Sequence, residues 1–158
     1  MKHFTPLKRI LVNHSKFIKN GVLLLILLPS LVFANNTDQI SPKIELHSPN
    51  TRLEVLRGGN IHVKAHLIDN QELASYRIVI RKGGISSDQY ADAFSTHQQL
   101  DADGNAFPSI LGAKTYELNL EVKVDENAIV GDYHFTLFLK DKAGNEQMVE
   151  RFFYVCRH

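Results

Sequence analysis

Period-two alternation of apolar and polar side chains narrows what this chain can fold into more than any other feature. Ile61, Val63, Ala65 and Leu67 alternate with His62, Lys64 and His66. Tyr116, Leu118, Leu120, Val122 and Val124 alternate with Glu117, Asn119, Glu121 and Lys123, and Tyr133, Phe135, Leu137 and Leu139 form a third row. Successive side chains on a strand point to opposite faces, so such rows mark sheets with one dry and one wet face, which implies antiparallel pairing. Shorter runs at Lys43–His47, Leu73–Arg81 and Met148–Val155 carry the same signature, the last apolar on both faces in part. No segment longer than about three turns reads as an amphipathic helix.

Turn chemistry separates the runs. Arg57-Gly58-Gly59-Asn60 precedes one strand, Asp69-Asn70 follows it and Gly131 opens another. Within Asp141–Asn145, Gly144 can take positive φ while the Asp and Asn side chains bond the turn backbone. Six strong strands, plus a weak one within Thr51–Leu56 or the long loop, predict an all-β, immunoglobulin-like antiparallel β-sandwich of about seven strands over residues 43–156. Residues 82–113 carry no strong strand signal, and loops beyond about 15 residues are usually functional or disordered. This segment begins at Gly83-Gly84, has the makings of a short helix across Ser86–Phe94, and is expected to connect the two sheets and cover one edge.

Gly131-Asp-Tyr-His-Phe135 followed by Leu139-Lys-Asp-Lys-Ala-Gly-Asn-Glu146 resembles the end of many bacterial immunoglobulin-like and fibronectin-like envelope modules. Tyr133, two residues beyond the turn glycine, is placed to send its hydroxyl back to the preceding loop, as in a tyrosine corner. With Gly58-Gly59 and Asp69-Asn-Gln-Glu-Leu73-Ala-Ser-Tyr76 added, the chain past its leader resembles a bacterial envelope family catalogued as a domain of unknown function, family 4625. The resemblance implies an immunoglobulin-like or fibronectin-like sandwich in an exported protein. Members of that family often carry several histidines at the end of the third strand and a lipid-attachment Cys. Here the strand ends Ile80-Arg81-Lys82, the loop after it holds only His97, and that Cys is missing.

The first 34 residues read as a secretion signal. A basic stretch runs to Asn20, then Gly21–Ala34 forms an apolar run of 14 residues interrupted by Pro29 and ending Val32-Phe33-Ala34. A spanning helix needs about 20 residues, so cleavage near Ala34 is the preferred reading, with an uncleaved membrane anchor as the alternative. A polar lead, residues 35–42, follows. The expected product is a soluble periplasmic or extracellular protein. Lys2, Lys8, Arg9, Lys16 and Lys19 all precede Ala34, leaving 13 of the 18 basic residues against 17 acids, a charge of −4. An acidic domain repels phosphate backbones, which argues against nucleic acid. Cys156 is the single cysteine, so no intrachain disulfide forms; the thiol is either buried at the end of the last strand or able to join two chains.

Motifs for catalysis are missing: there is no Gly-x-Ser-x-Gly, His-Glu-x-x-His, Cys-x-x-Cys or phosphate-binding glycine loop, and Glu117 and Glu121 share a wet face. The chain is read as no enzyme and as needing no cofactor. His62 and His66 share a face but stand roughly 13 Å apart along a strand, too far for one zinc ion. The acidic loops are better placed. In a sandwich of this type the loop after the second strong strand and the loop before the last lie at one pole. That gathers Asp69, Asn70, Asp141, Asn145 and Glu146 as calcium candidates, set against the plainer role of capping their own turns. Asp101, Asp103 and Asn105 imitate a calcium loop, but Gly104 falls at the fourth place rather than the sixth. The function expected is a non-catalytic binding or structural module of the envelope that uses the polar loops at one pole and the long Lys82–Ala113 segment to engage an envelope protein or a glycan, with a calcium-stabilised domain as the alternative.

Overall fold

The computed structural model describes residues 38–83 and 90–157; the expected signal segment, residues 35–37 of the lead and residues 86–89 of the expected Ser86–Phe94 helix lie outside them. Seven strands build two sheets: β1 (Lys43–Ser48), β2 (Leu53–Leu56), β3 (Asn60–Ile68), β4 (Leu73–Lys82), β5 (Thr115–Lys123), β6 (Gly131–Asp141) and β7 (Glu146–Cys156). One sheet has the order β1-β3-β5 and the other β2-β7-β6-β4. The fold is an immunoglobulin-like β-sandwich. One pair departs from the antiparallel expectation: β2 runs parallel to β7, Leu53 opposite Phe153 and Leu56 opposite Cys156. After β1 the chain leaves the first sheet through Pro49–Arg52 and joins the second beside its last strand. Arg52, at φ 68°, donates its backbone N–H to the Phe152 carbonyl at 2.9 Å as it enters that edge.

The alternating rows become the core. Ile61, Val63, Ala65 and Leu67 of β3 face Tyr133, Phe135, Leu137 and Leu139 of β6, all at most 1% exposed. Leu118, Leu120 and Val122 of β5 and Ile78 and Ile80 of β4 fill the space between them. Each buried Val, Leu, Ile or Phe among them contributes about 1.5–3 kcal/mol by leaving water. Without a disulfide, this burial holds the domain together.

Tyr133 anchors the far end of β6. Its hydroxyl donates to the Ile129 carbonyl at 2.7 Å, which fixes the turn that Gly131, at φ 130°, makes into the strand. Burial pushes its phenol pKa up, against the opposing pull of the Arg57 charge and the Ile129 hydrogen bond.

The long connection from β4 to β5 is part of the core rather than an appendage. Two 3-10 turns, Ala91–Ala93 and Ser95–Gln98, bracket Phe94, which is 2% exposed. Its ring meets Tyr133 edge-on at 5.0 Å and Phe153 edge-on at 5.9 Å. Backbone groups of the connection then cover the edge of β5: Ala102 donates to the Glu121 carbonyl at 2.8 Å, and Asp125 to the Ala93 carbonyl at 2.8 Å. The Ser95 hydroxyl oxygen accepts from the Lys123 N–H at 3.0 Å. Open strand edges invite pairing with other chains, and this segment closes one.

Candidate functional site

Two inward-facing rows end in aspartates. On β3 the odd positions 61 to 67 point into the core, and the next odd position is Asp69, just past the strand. On β6 the odd positions 133 to 139 do the same, and the strand closes on Asp141. Both aspartates therefore sit at the mouth of the sandwich, inside rather than on its rim, at 6% and 2% exposure. A third, Asp38 of the polar lead, reaches the same place. One carboxylate oxygen from each of Asp38, Asp69 and Asp141 lies within 4.8 Å of the others. Among the described residues no other set of three histidines, cysteines or acids is so gathered.

Each aspartate also shapes its local turn. Asp141 Oδ1 accepts the backbone N–H groups of Gly144 at 2.7 Å and Asn145 at 2.8 Å, closing the β6–β7 turn in which Gly144 takes φ 100°. Asp69 Oδ2 accepts from the Gln71 N–H at 2.8 Å, and Asp38 Oδ1 from the Ile40 N–H at 3.0 Å. The Asn145 side-chain amide joins the parts, donating to Asp141 Oδ2 at 2.7 Å and to the Asp38 carbonyl at 2.9 Å. The remaining oxygens, Asp38 Oδ2 and Asp69 Oδ1, are buried with no hydrogen-bond partner. Buried polar atoms of this kind are rare, and each calls for an explanation.

The five residues singled out in the sequence divide here. Asp69, Asp141 and Asn145 meet at the pole. Asn70 and Glu146 do not: both fall at even positions, so the pleat turns them outward. Asn70 is exposed, and Glu146 pairs instead with Lys140 across β6 and β7 at 3.4 Å. Asp38 escaped sequence reasoning because the lead carries no periodicity to assign it a side. The Asp101–Asn105 turn stands apart, with Asp101 Oδ1 accepting from Asp103 at 3.0 Å and Asn105 at 2.8 Å. Those backbone N–H groups, Asn105 foremost, hold its carboxyl below the usual range.

His62, His66 and His134 lie on wet faces beside glutamates. His66 Nδ1 is 3.5 Å from Glu45 and its Nε2 3.7 Å from Glu117, while His62 lies 4.0 Å from Glu121. On the outer face of the four-stranded sheet, the His134 ring packs edge-on against Phe152 at 4.6 Å and lies 3.3 Å from Glu150. That face also exposes Leu56, Met148, Phe152 and Tyr154, at 39–60%. Cys156 is half-buried at its margin, its thiol 3.4 Å from the Val55 carbonyl.

The family model described as "Domain of unknown function (DUF4625)" matches residues 32–155. The chain belongs to this family. No curated protein matches it. Among solved structures, the GspB Siglec domain is similar with a TM-score of 0.51 at 14% identity, covering 77% of this chain and 60% of that one. The fibronectin(III)-like modules of Clostridium thermocellum CbhA align with a TM-score of 0.43 at 12% identity, over 75% of this chain and 48% of theirs. Murine CRIg aligns with a TM-score of 0.37 at 7% identity, over 75% of this chain and 99% of its own. This DUF4625 member thus spans 60% and 48% of the first two chains. No helix among its described residues is long and apolar enough to cross a membrane.

Proposed function

We propose that this DUF4625 protein is an exported, non-catalytic binding module of a bacterial cell envelope. Its recognition surface is the outer face of the β2-β7-β6-β4 sheet, and its partner is another envelope protein. The observation that carries this reading is the row of exposed apolar side chains along β7: Met148, Phe152 and Tyr154, with Leu56 beside them on β2. Aromatic residues and methionine are enriched where proteins meet, and such side chains exposed on a wet sheet face, here interrupted by Glu150, have no role in the core. Charged groups of both signs border the row. Arg77 is held over the Phe138 ring at 3.7 Å, and His134 and Glu150 lie against Phe152. Such pinning lowers the ordering cost of binding. The basic and apolar segment before Ala34 supports export, and the sandwich architecture is one that serves many binding proteins, an argument by analogy.

The test is co-purification from the native envelope, followed by binding of the purified partner to the wild type and to a Phe152→Ser, Tyr154→Ser double variant. The double variant should bind about tenfold or more weakly while melting normally. Undiminished binding, or a partner that proves to be a glycan or a second copy of the chain, overturns the assignment of face and partner.

A second reading, a calcium-stabilised domain, is favoured by the buried, partnerless Oδ1 of Asp69. Calcium added to chelator-treated protein should raise its melting temperature, since a ligand bound only by the folded state stabilises it. An unchanged melting temperature up to millimolar calcium rejects that reading.

A further inference from the structure

We propose that Asp38, Asp69 and Asp141 ligate one calcium ion that fastens the N-terminal lead to the loop pole of the sandwich, an inference that rests on the calcium reading and specifies its site. The competing explanation is that each aspartate merely caps its own turn. Turn capping accounts for Asp38 Oδ1, Asp69 Oδ2 and Asp141 Oδ1, which hold the N–H groups of Ile40, Gln71, Gly144 and Asn145. It leaves Asp38 Oδ2 and Asp69 Oδ1 buried with no donor. It also leaves unexplained why three carboxylates from three separate segments converge to within 4.8 Å. Convergence of like charges in a mouth shielded from water is unfavourable unless a counter-ion joins them.

No protein cation fills that role among the described residues. The nearest basic side chain in sequence, Lys142, directs its ammonium to Glu72 at 2.6 Å. None of the ion pairs between described residues involves Asp38, Asp69 or Asp141. The donor set is oxygen alone, without imidazole or thiolate, which selects a hard cation. Three carboxylates from the lead, a turn and a strand end, able to bind through one or two oxygens each, suit the larger and more adaptable shell of calcium. Magnesium demands a near-ideal octahedron and keeps its waters. Water completes the coordination.

The arrangement ties distant parts of the chain. Asp69 is carried by the β3–β4 turn, Asp141 by the end of β6, and Asp38 by the lead before β1. The Asn145 amide already links the Asp38 carbonyl to Asp141. An ion shared by the three carboxylates would hold the lead more firmly than that amide alone. Calcium then controls whether the segment next to the export signal lies against the domain.

The experiment is calorimetric titration of calcium and magnesium into chelator-treated wild type, Asp38→Asn and Asp69→Asn. Amide hydrogen exchange at Gln39 and Ile40 is read with and without calcium. Both substitutions keep an oxygen able to cap the local turn. The wild type should bind one calcium with a dissociation constant between roughly micromolar and millimolar, and magnesium at least about tenfold more weakly. Asp69→Asn and Asp38→Asn should each weaken calcium binding about tenfold or more, with melting in chelator no lower than that of the wild type. Calcium should slow exchange at Gln39 and Ile40 in the wild type only. If Asp38→Asn binds calcium as tightly as the wild type while Asp69→Asn does not, the clamp is wrong and the calcium reading survives. If the wild type shows no binding up to roughly 10 mM, beyond the weakest extracellular calcium modules, both fall.

Discussion

Phe94→Ala lowers the free energy of unfolding by about 3–5 kcal/mol, the range for emptying a buried aromatic site. The residue belongs to a connection rather than a strand, so a cost of this size is not what its place in the chain suggests. Its ring, however, lies edge-on against both Tyr133 of β6 and Phe153 of β7, which stack on each other at 5.6 Å. The backbone on either side of it covers the open edge of β5. Losing the ring empties a buried site against that pair and loosens the cover with it. Urea denaturation measures the loss, and hydrogen exchange should show faster opening at Ala102 and Lys123 than at β6. A cost below about 1 kcal/mol would mean the connection rests on the sandwich without completing it.

Asp141→Ala has the second large effect, about 2–3 kcal/mol in the presence of chelator. The carboxylate accepts two backbone N–H groups and the Asn145 amide, and alanine leaves all three part-buried donors without it. Asp141→Asn separates acceptor from charge. Its amide oxygen still serves the turn, and it removes one of three crowded negative charges, so in chelator it should be at least nearly as stable as the wild type. In calcium it should be less stable, because the wild type gains the ion and the variant does not. Paired urea curves with and without calcium give both comparisons. An Asn variant as damaged as the Ala variant in chelator would show that the turn depends on the charge itself.

Alternation carried most of the architecture. The rows Ile61–Leu67, Tyr116–Val124 and Tyr133–Leu139 are long enough that the pleat admits one arrangement, and they appear as β3, β5 and β6. β2 was legible only as a weak run, because four residues carry little pattern. Its parallel partner, β7, lies about a hundred positions away, where no local signal reaches. Phe94 was equally silent, an isolated aromatic in a polar stretch with no period to say which way it faces. At the pole, parity was the decisive information. Continuing the odd rows one step brings Asp69 and Asp141 inward and turns Asn70 and Glu146 outward, a distinction that loop proximity alone could not draw. Asp38 needed the three-dimensional path of the lead.

A pole built from inward aspartates makes this sandwich more than a scaffold for loops, and one measurement addresses that directly: diffraction from crystals of the protein grown with calcium. A single strong peak is expected at the mouth of the sandwich, about 2.3–2.6 Å from oxygens of Asp38, Asp69 and Asp141. A map with no ion there, or with one held only by the Asp101–Asn105 turn, would contradict it.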